Sequence, residues 1–219
     1  MRFAVAKQQG LVETAIDDIA DGYGDSTSLS DRQKAALAFT DAFLANDAGS
    51  IAHLVGFTDP ERFELAVGLG LFHGFSKVLI ALGVEPEPGT MATTEIPTPD
   101  TDAPIGSLRG GLDAIDATIE DAVGLGDRDA LDAARRRVCT LLGASGVSDG
   151  PVQLPGVSDL AELFVIDVHA ITDAQFASVA ESLGPAPMVA LLIGLAVADC
   201  RARLTRSGAA DLAEREPVG

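Results

Sequence analysis

Proton transfer or nucleophilic attack in this 219-residue chain would fall to a short set of side chains, first among them three histidines and two cysteines. His73 stands in Phe72-His73-Gly74-Phe75, close to Gly68 and Gly70. It reads as a general base in a cavity opened by the small residues, or as a hydrogen-bonded histidine beside a close helix crossing. His169 lies between Asp167 and Asp173. An acid–base pair there could deliver or remove a proton. The same residues also suit a cation near one helix C-terminus followed by a Thr172 or Asp173 N-cap, which needs no substrate. His53 is expected on the surface. Three histidines on separate elements make no metal site, and no cofactor signature is present.

Cys139 and Cys200 are far apart, and neither belongs to a C-x-x-C pair, so there is no zinc or dithiol signature. Cys139 follows Arg135, Arg136 and Arg137, which could lower its thiol pKa if they turned toward it. Its helical spacing with Val138, Leu141 and Leu142 instead suits a buried, inert cysteine, and Cys200 gets the same reading. Asp129 and Asp132 are ordinary helix-start charges. Lys77 could bind a carboxylate.

The elements that must position these groups are helices. The longest signal runs over residues 59–83: Thr58 or Asp59 caps, Pro60 takes the first helical position, Glu61 completes T-x-x-E, and Gly83 stops it. Phe63, Val67, Leu71, Phe75, Val78, Leu79 and Leu82 recur at three- and four-residue steps and are expected along one face. Ser30 to Gln33 is a capping box opening a helix to about Asn46, with Leu37, Phe39, Phe43 and Leu44 as core candidates, and a shorter helix is expected over residues 48–55. Residues 2–8 and the stretch around Leu11, Ala15, Ile16 and Ile19 are helix-compatible. Beyond a Pro-rich stretch, Leu112, Ile115, Ile119 and Val123 keep the helical step. Further helices are expected through Ala133 and Val138 to Leu142, over residues 158–169, after Thr172, and after Gly184-Pro185. Almost no segment alternates like a strand, and the expected class is all-α.

The pattern also repeats. Residues 51–83 align without a gap on residues 176–208, a constant offset of 125 that brings Pro60 onto Pro185 and Gly83 onto Gly208. Residues 40–43 fall on 161–164 at an offset of 121. Two diverged copies of one helical unit are therefore expected: residues 1–83, a Pro-rich linker over 84–107, and residues 108–219.

At residues 29–44, at residues 77–87 and again at residues 163–176 the chain resembles the AhpD-like superfamily, which includes the carboxymuconolactone decarboxylases. The resemblance implies an AhpD-like all-helical fold, two repeats packed as a pseudo-dimer, and a possible homo-oligomer. Several members of that superfamily use a C-x-x-C pair with a nearby His and an upstream acid for peroxide chemistry; others act on a lactone acid without a dithiol. Here Ala144 and Val147 stand where the second copy's cysteines would be, and in the first half the pair would lie at or before the stretch beginning at Gly10. The implied function is that of a non-redox enzyme on a small molecule or a catalytically lost homologue. A thiol-dependent peroxidase using Cys139 and a helical scaffold are the alternatives. The candidate site residues are His169, Asp167, His73 and Cys139.

A net charge of −18, split as −9 over residues 1–110 (7 bases, 16 acids) and −9 over the rest (8 and 17), repels phosphate, so neither nucleic acid nor anionic membrane is expected as a partner. The most apolar run, residues 188–198, is too short to span a bilayer. The N-terminal residues lack a secretory pattern and the two thiols suit a reducing compartment, so a cytoplasmic location is expected.

Overall fold

In the computed structural model, residue 19 and residues 22–84, 105–123, 128–144 and 156–214 are described. The expected helices over residues 2–8 and around Leu11 to Ile16, most of the linker, Val147 and the first-half dithiol position lie outside the described residues.

All regular structure among the described residues is helical: α1 (Asp31–Leu44), α2 (Asp59–Ala81), α3 (Ile105–Val123), α4 (Arg128–Leu142), α5 (Val157–Ile166), α6 (Asp173–Leu183) and α7 (Pro185–Ser207). Short 3-10 turns lie at Tyr23–Asp25, Ser50–His53, Val168–Ala170 and Ala210–Glu214. The local start signals act as their chemistry dictates. Ser30 Oγ accepts from the Gln33 backbone N–H at 3.2 Å while the Gln33 side chain accepts from the Ser30 backbone N–H at 2.9 Å. Thr172 and Gln175 repeat this exchange at the start of α6. At α2 the Thr58 N–H and hydroxyl both donate to Glu61, at 2.8 and 3.0 Å. Gly83 and Gly208 adopt φ of 65° and 83°, the left-handed conformation that ends a helix at little cost for glycine. The expected helix over 48–55 is instead the 3-10 turn Ser50–His53, entered through Gly49 at φ 71°.

Helix α7 is the axis of the molecule. It packs on α2, α3 and α4, and 15 of its 23 residues are buried. Two apolar clusters meet along it. One gathers α4, α5 and the first part of α7 around Leu131, Val138, Phe164, Leu192 and Leu195. The other sets Phe39 and Phe43 of α1, with ring centroids 5.3 Å apart, against Phe63 and Val67 of α2 and Leu204 of α7. Burial of these side chains, at roughly 25 cal/mol per Å² of apolar surface, is the main stabilising term. Outside the core, Arg135 bridges Asp116 and Glu120 at 2.7 and 3.0 Å, and Arg201 reaches Asp113 and Asp116 at 2.7 and 2.8 Å, which ties α3 to α4 and α7.

The buried face of α2 matches the expected apolar face only in part: Phe63, Val67 and Val78 are buried and Leu71 and Leu82 pack against the core, but the face turns toward the small residues and away from Phe75 and Leu79. Phe63, Ala66, Val67, Gly70, Gly74, Lys77 and Val78 are buried, whereas Phe75 and Leu79 are exposed and Phe72 is 75% exposed. Leu44, expected in the core, is exposed as well. Helices α2 and α7, each of 23 residues, are both long and apolar enough by length and composition to cross a membrane, although residues 188–198 alone are not. Most of the apolar stretch of α7 is buried inside the protein.

Candidate functional site: a buried carboxylate between α2 and α7

Helix α2 lies against α7 at its glycines. A β-carbon built on Gly70 would stand 2.6 Å from Cys200 Sγ, and one on Gly74 would stand 2.8 Å from the Ala196 carbonyl oxygen. The helices are thus in backbone contact there, and the two pairs, Gly70 with Cys200 and Gly74 with Ala196, run in opposite chain directions. Close approach of this kind leaves no room for side chains at the crossing itself, and Lys77 and Asp199 on the neighbouring turns are buried beside it.

Asp199, one residue before Cys200, is fully buried, which requires cationic or hydrogen-bonding partners. Three side chains supply them. Arg203, one turn later on α7, donates its Nε–H to Asp199 Oδ2 at 3.1 Å. The rest of that guanidinium is held by the carbonyls of Phe43 and Leu44 at the end of α1, 3.0 and 2.9 Å away. Both belong to the last turn of α1, where helical partners run out; the Phe43 carbonyl also accepts from the Asn46 N–H at 3.1 Å, and the cation adds to the ligation of this helix end. From α2, Lys77 Nζ approaches Asp199 Oδ1 at 3.6 Å, an ion pair too long for a hydrogen bond. It donates instead to the Val165 carbonyl of α5 at 3.2 Å and stands 5.6 Å from the centre of the Phe164 ring. His73, one turn before Lys77, places Nε2 3.8 Å from Asp199 Oδ2.

The arrangement is incompletely satisfied. His73 Nε2 and Asp199 Oδ1 are both buried and have no hydrogen-bond partner among the described residues. A buried polar atom without a partner costs about 1–3 kcal/mol, so a cluster that keeps two of them calls for an explanation beyond stability.

Electrostatics set the protonation states. Burial, reinforced by the Lys77 charge and opposed by Asp199, pushes the His73 imidazole down to about 4, so it is neutral at pH 7. Burial also lowers the Lys77 ammonium, against the pull of Asp199. With His73 neutral, the charged form of the cluster holds two cations and one anion.

The sequence-derived candidates fall in different places. His73 is the one that meets a buried acid. His169 is exposed; its backbone N–H donates to Asp167 Oδ1 at 3.2 Å, so Asp167 caps the turn Val168–Ala170. His53 is exposed. Cys139 and Cys200 are both free thiols. Burial raises the Cys139 thiol and, with a contribution from Asp199, pushes Cys200 up to about 12. Two of the three arginines before Cys139 turn to carboxylates, Arg135 to Asp116 and Glu120 and Arg137 to Glu162. Among the described residues no three His, Cys, Asp or Glu side chains converge as a metal-binding group. Sequence reasoning missed Asp199 and Arg203, which follow the apolar run 188–198. The available signal was their four-residue spacing with Leu204 immediately following, which keeps them within the helical face that continues into the core.

Comparison with protein-family models, with curated proteins and with solved structures finds no match for this chain.

Proposed function

We propose that this chain is a diverged, tandem-repeat AhpD-like protein, related in plan to the carboxymuconolactone decarboxylases. It carries out non-redox acid–base chemistry on a small molecule, without a dithiol, at the carboxylate of Asp199. The observation that carries the reading is the pairing of a neutral histidine with a fully buried carboxylate, each keeping one atom unpartnered, beside a lysine and an arginine. A purely structural ion pair gains nothing from unpartnered acceptors, whereas an acid–base site needs atoms open to a substrate.

The tandem plan is supported by the crossing of α2 and α7. Phe72 and Ala198 lie midway between the two contact pairs, and the offset of 125 takes Phe72 to Val197, one residue away. Equivalent points of the two copies therefore meet, as a two-fold relation between repeats requires. The non-redox reading is supported by the thiols: a peroxide-reducing cysteine must ionise and find a resolving sulfur, and burial opposes ionisation of both cysteines.

A second reading, a helical scaffold that self-associates, is favoured by one observation: Phe72, Phe75, Leu79 and Ile80 form an exposed apolar strip on α2.

The test combines two experiments on the native protein. With a thiol reagent and with peroxide plus a dithiol reductant, both cysteines should stay protected until denaturation and the peroxide should persist. A ligand-observed magnetic resonance screen of small carboxylic and carbonyl compounds should give binders that Asp199→Asn and His73→Gln weaken. Rapid reaction of Cys139 with loss of peroxide would move the assignment to a one-cysteine peroxidase. Absence of binders would leave the scaffold.

A further inference from the structure

Lys77 is the group at this site that acid–base chemistry alone does not use. It is one of three lysines in the chain, with Lys7 and Lys34, and it stands in the interior, 8% exposed, while Lys34 reaches the Gly24 carbonyl in an exposed hydrogen bond. Its Nζ is fixed rather than free: the Val165 carbonyl accepts one N–H, Asp199 Oδ1 faces a second at 3.6 Å, and the Phe164 ring closes one side. No further partner of Nζ is found among the described residues, which leaves one direction of the nitrogen for a guest. His73, on the same face one turn away, has a side chain 25% exposed while its Nε2 is buried against the cluster, so its ring lies between Asp199 and the surface.

We infer that Lys77 is an imine-forming nucleophile and that the site takes a small oxo-carboxylate, a 2-oxo or 3-oxo acid, whose carbonyl carbon Nζ attacks. The inference rests on the acid–base reading of the Asp199 cluster. Burial beside the Arg203 charge favours the neutral amine that such an attack requires, as in other lysines activated by desolvation and a second cation.

The steps balance within the cluster. The Lys77 ammonium gives one proton to Asp199 Oδ1, the neighbouring acceptor that lacks a hydrogen bond. The nitrogen lone pair then forms the N–C bond as the carbonyl π pair moves to oxygen. The second nitrogen proton and the proton held on Asp199 go to that oxygen, with His73 Nε2 as the relay, and the oxygen leaves as water. The product is a protonated imine, so the charge near Asp199 is the same before and after, and the carboxylate that stabilised the ammonium stabilises the iminium. With a 3-oxo acid, the electron pair of the bond to the carboxylate moves into the iminium, carbon dioxide leaves, the resulting enamine takes one proton, and water releases Lys77. No oxidant or reductant enters. The substrate carboxylate is matched by the excess of cationic over anionic groups, Lys77 and Arg203 against Asp199, in a chain whose surface is otherwise acidic.

The experiment treats the intact protein with pyruvate or acetoacetate in the presence of cyanoborohydride, maps the adducts by peptide mass spectrometry, and measures binding of the same acids by ligand-observed magnetic resonance. The expected result is a reduced adduct on the peptide carrying Lys77, in excess over Lys34 and Lys7, and its absence in Lys77→Arg, which keeps the cation but forms no imine. Binding without an adduct at Lys77, or adducts confined to Lys34 and Lys7, would overturn the imine and leave the acid–base site standing. Neither binding nor adduct would overturn both.

Discussion

Asp199 holds its neighbours more than they hold it. Removing its charge by Asp199→Asn leaves Lys77 and Arg203 as buried cations without an anion, the situation in which breaking a buried pair is most costly. The expected loss is about 3–5 kcal/mol, readable in urea denaturation. A loss below about 1 kcal/mol would show that the cations are solvated in ways the cluster geometry does not describe. His73 carries a pH dependence with a definite sign. Its folded value lies near 4 and its unfolded value near 6.5, so above pH 6.5 both states are neutral and nothing is at stake. As pH falls from about 6.5 to about 4 the unfolded chain takes up a proton that the folded protein refuses, and stability declines by at most about 3 kcal/mol before levelling off, solvent screening at the partly exposed ring keeping the loss below the full linkage value. Substitution His73→Gln should remove that part of the acid-side slope; an unchanged slope would mean that His73 titrates normally. At this scale the sequence named His73 as a candidate and raised Lys77 as a possible carboxylate ligand, but it could not supply their acid. Asp199 is 126 residues from His73, and only the crossing of two helices brings them together.

Helix boundaries were legible because caps are local chemistry: Ser30 with Gln33 and Thr172 with Gln175 lie within a single turn of each other. The face that α2 buries was legible in part: Phe63, Val67 and Val78 are buried as their spacing predicts, whereas Gly70, Gly74 and Lys77 on the same face were not foreseen. Periodicity marked Phe75 and Leu79 as core because it weighs apolar mass, yet the neighbour of α2 is the backbone of α7, which selects for the smallest residues. The consequence is a graded alanine series. Gly74→Ala would drive a methyl against the Ala196 carbonyl and Cα, atoms that cannot move without the helix, and should cost about 1–3 kcal/mol. Gly68→Ala, whose added methyl meets nothing within 4 Å, should be neutral or stabilise by up to about 1 kcal/mol through helix propensity. Equal effects of the two substitutions on the melting temperature would contradict the crossing. The expected helix over residues 48–55 failed for a related reason: Gly49 turns to positive φ, and the chain has room for only the short turn Ser50–His53 before α2 begins.

At the scale of the molecule, α7 joins two apolar clusters and carries the polar cluster close to where they meet. The all-helical class follows from the sequence because the helical step persists through each half and strand alternation is nearly absent. The exposed strip on α2 has no such local explanation. The scaffold reading predicts concentration-dependent self-association in sedimentation velocity, abolished by Phe72→Glu. A monomer at every concentration would remove that reading and leave the strip as ordinary surface.

The most direct test of the central claim, that the Asp199 cluster receives a small molecule, is a titration of the native protein with small oxo-carboxylates while the three imidazole side chains are followed by nuclear magnetic resonance. His53 and His169 are exposed and serve as internal references for non-specific effects. The account predicts that the His73 signals move with saturable dependence on ligand while the other two stay in place, and that Asp199→Asn abolishes the shift. His73 signals that never move, or that move in parallel with His53 and His169, would contradict it and reduce the cluster to a structural ion pair.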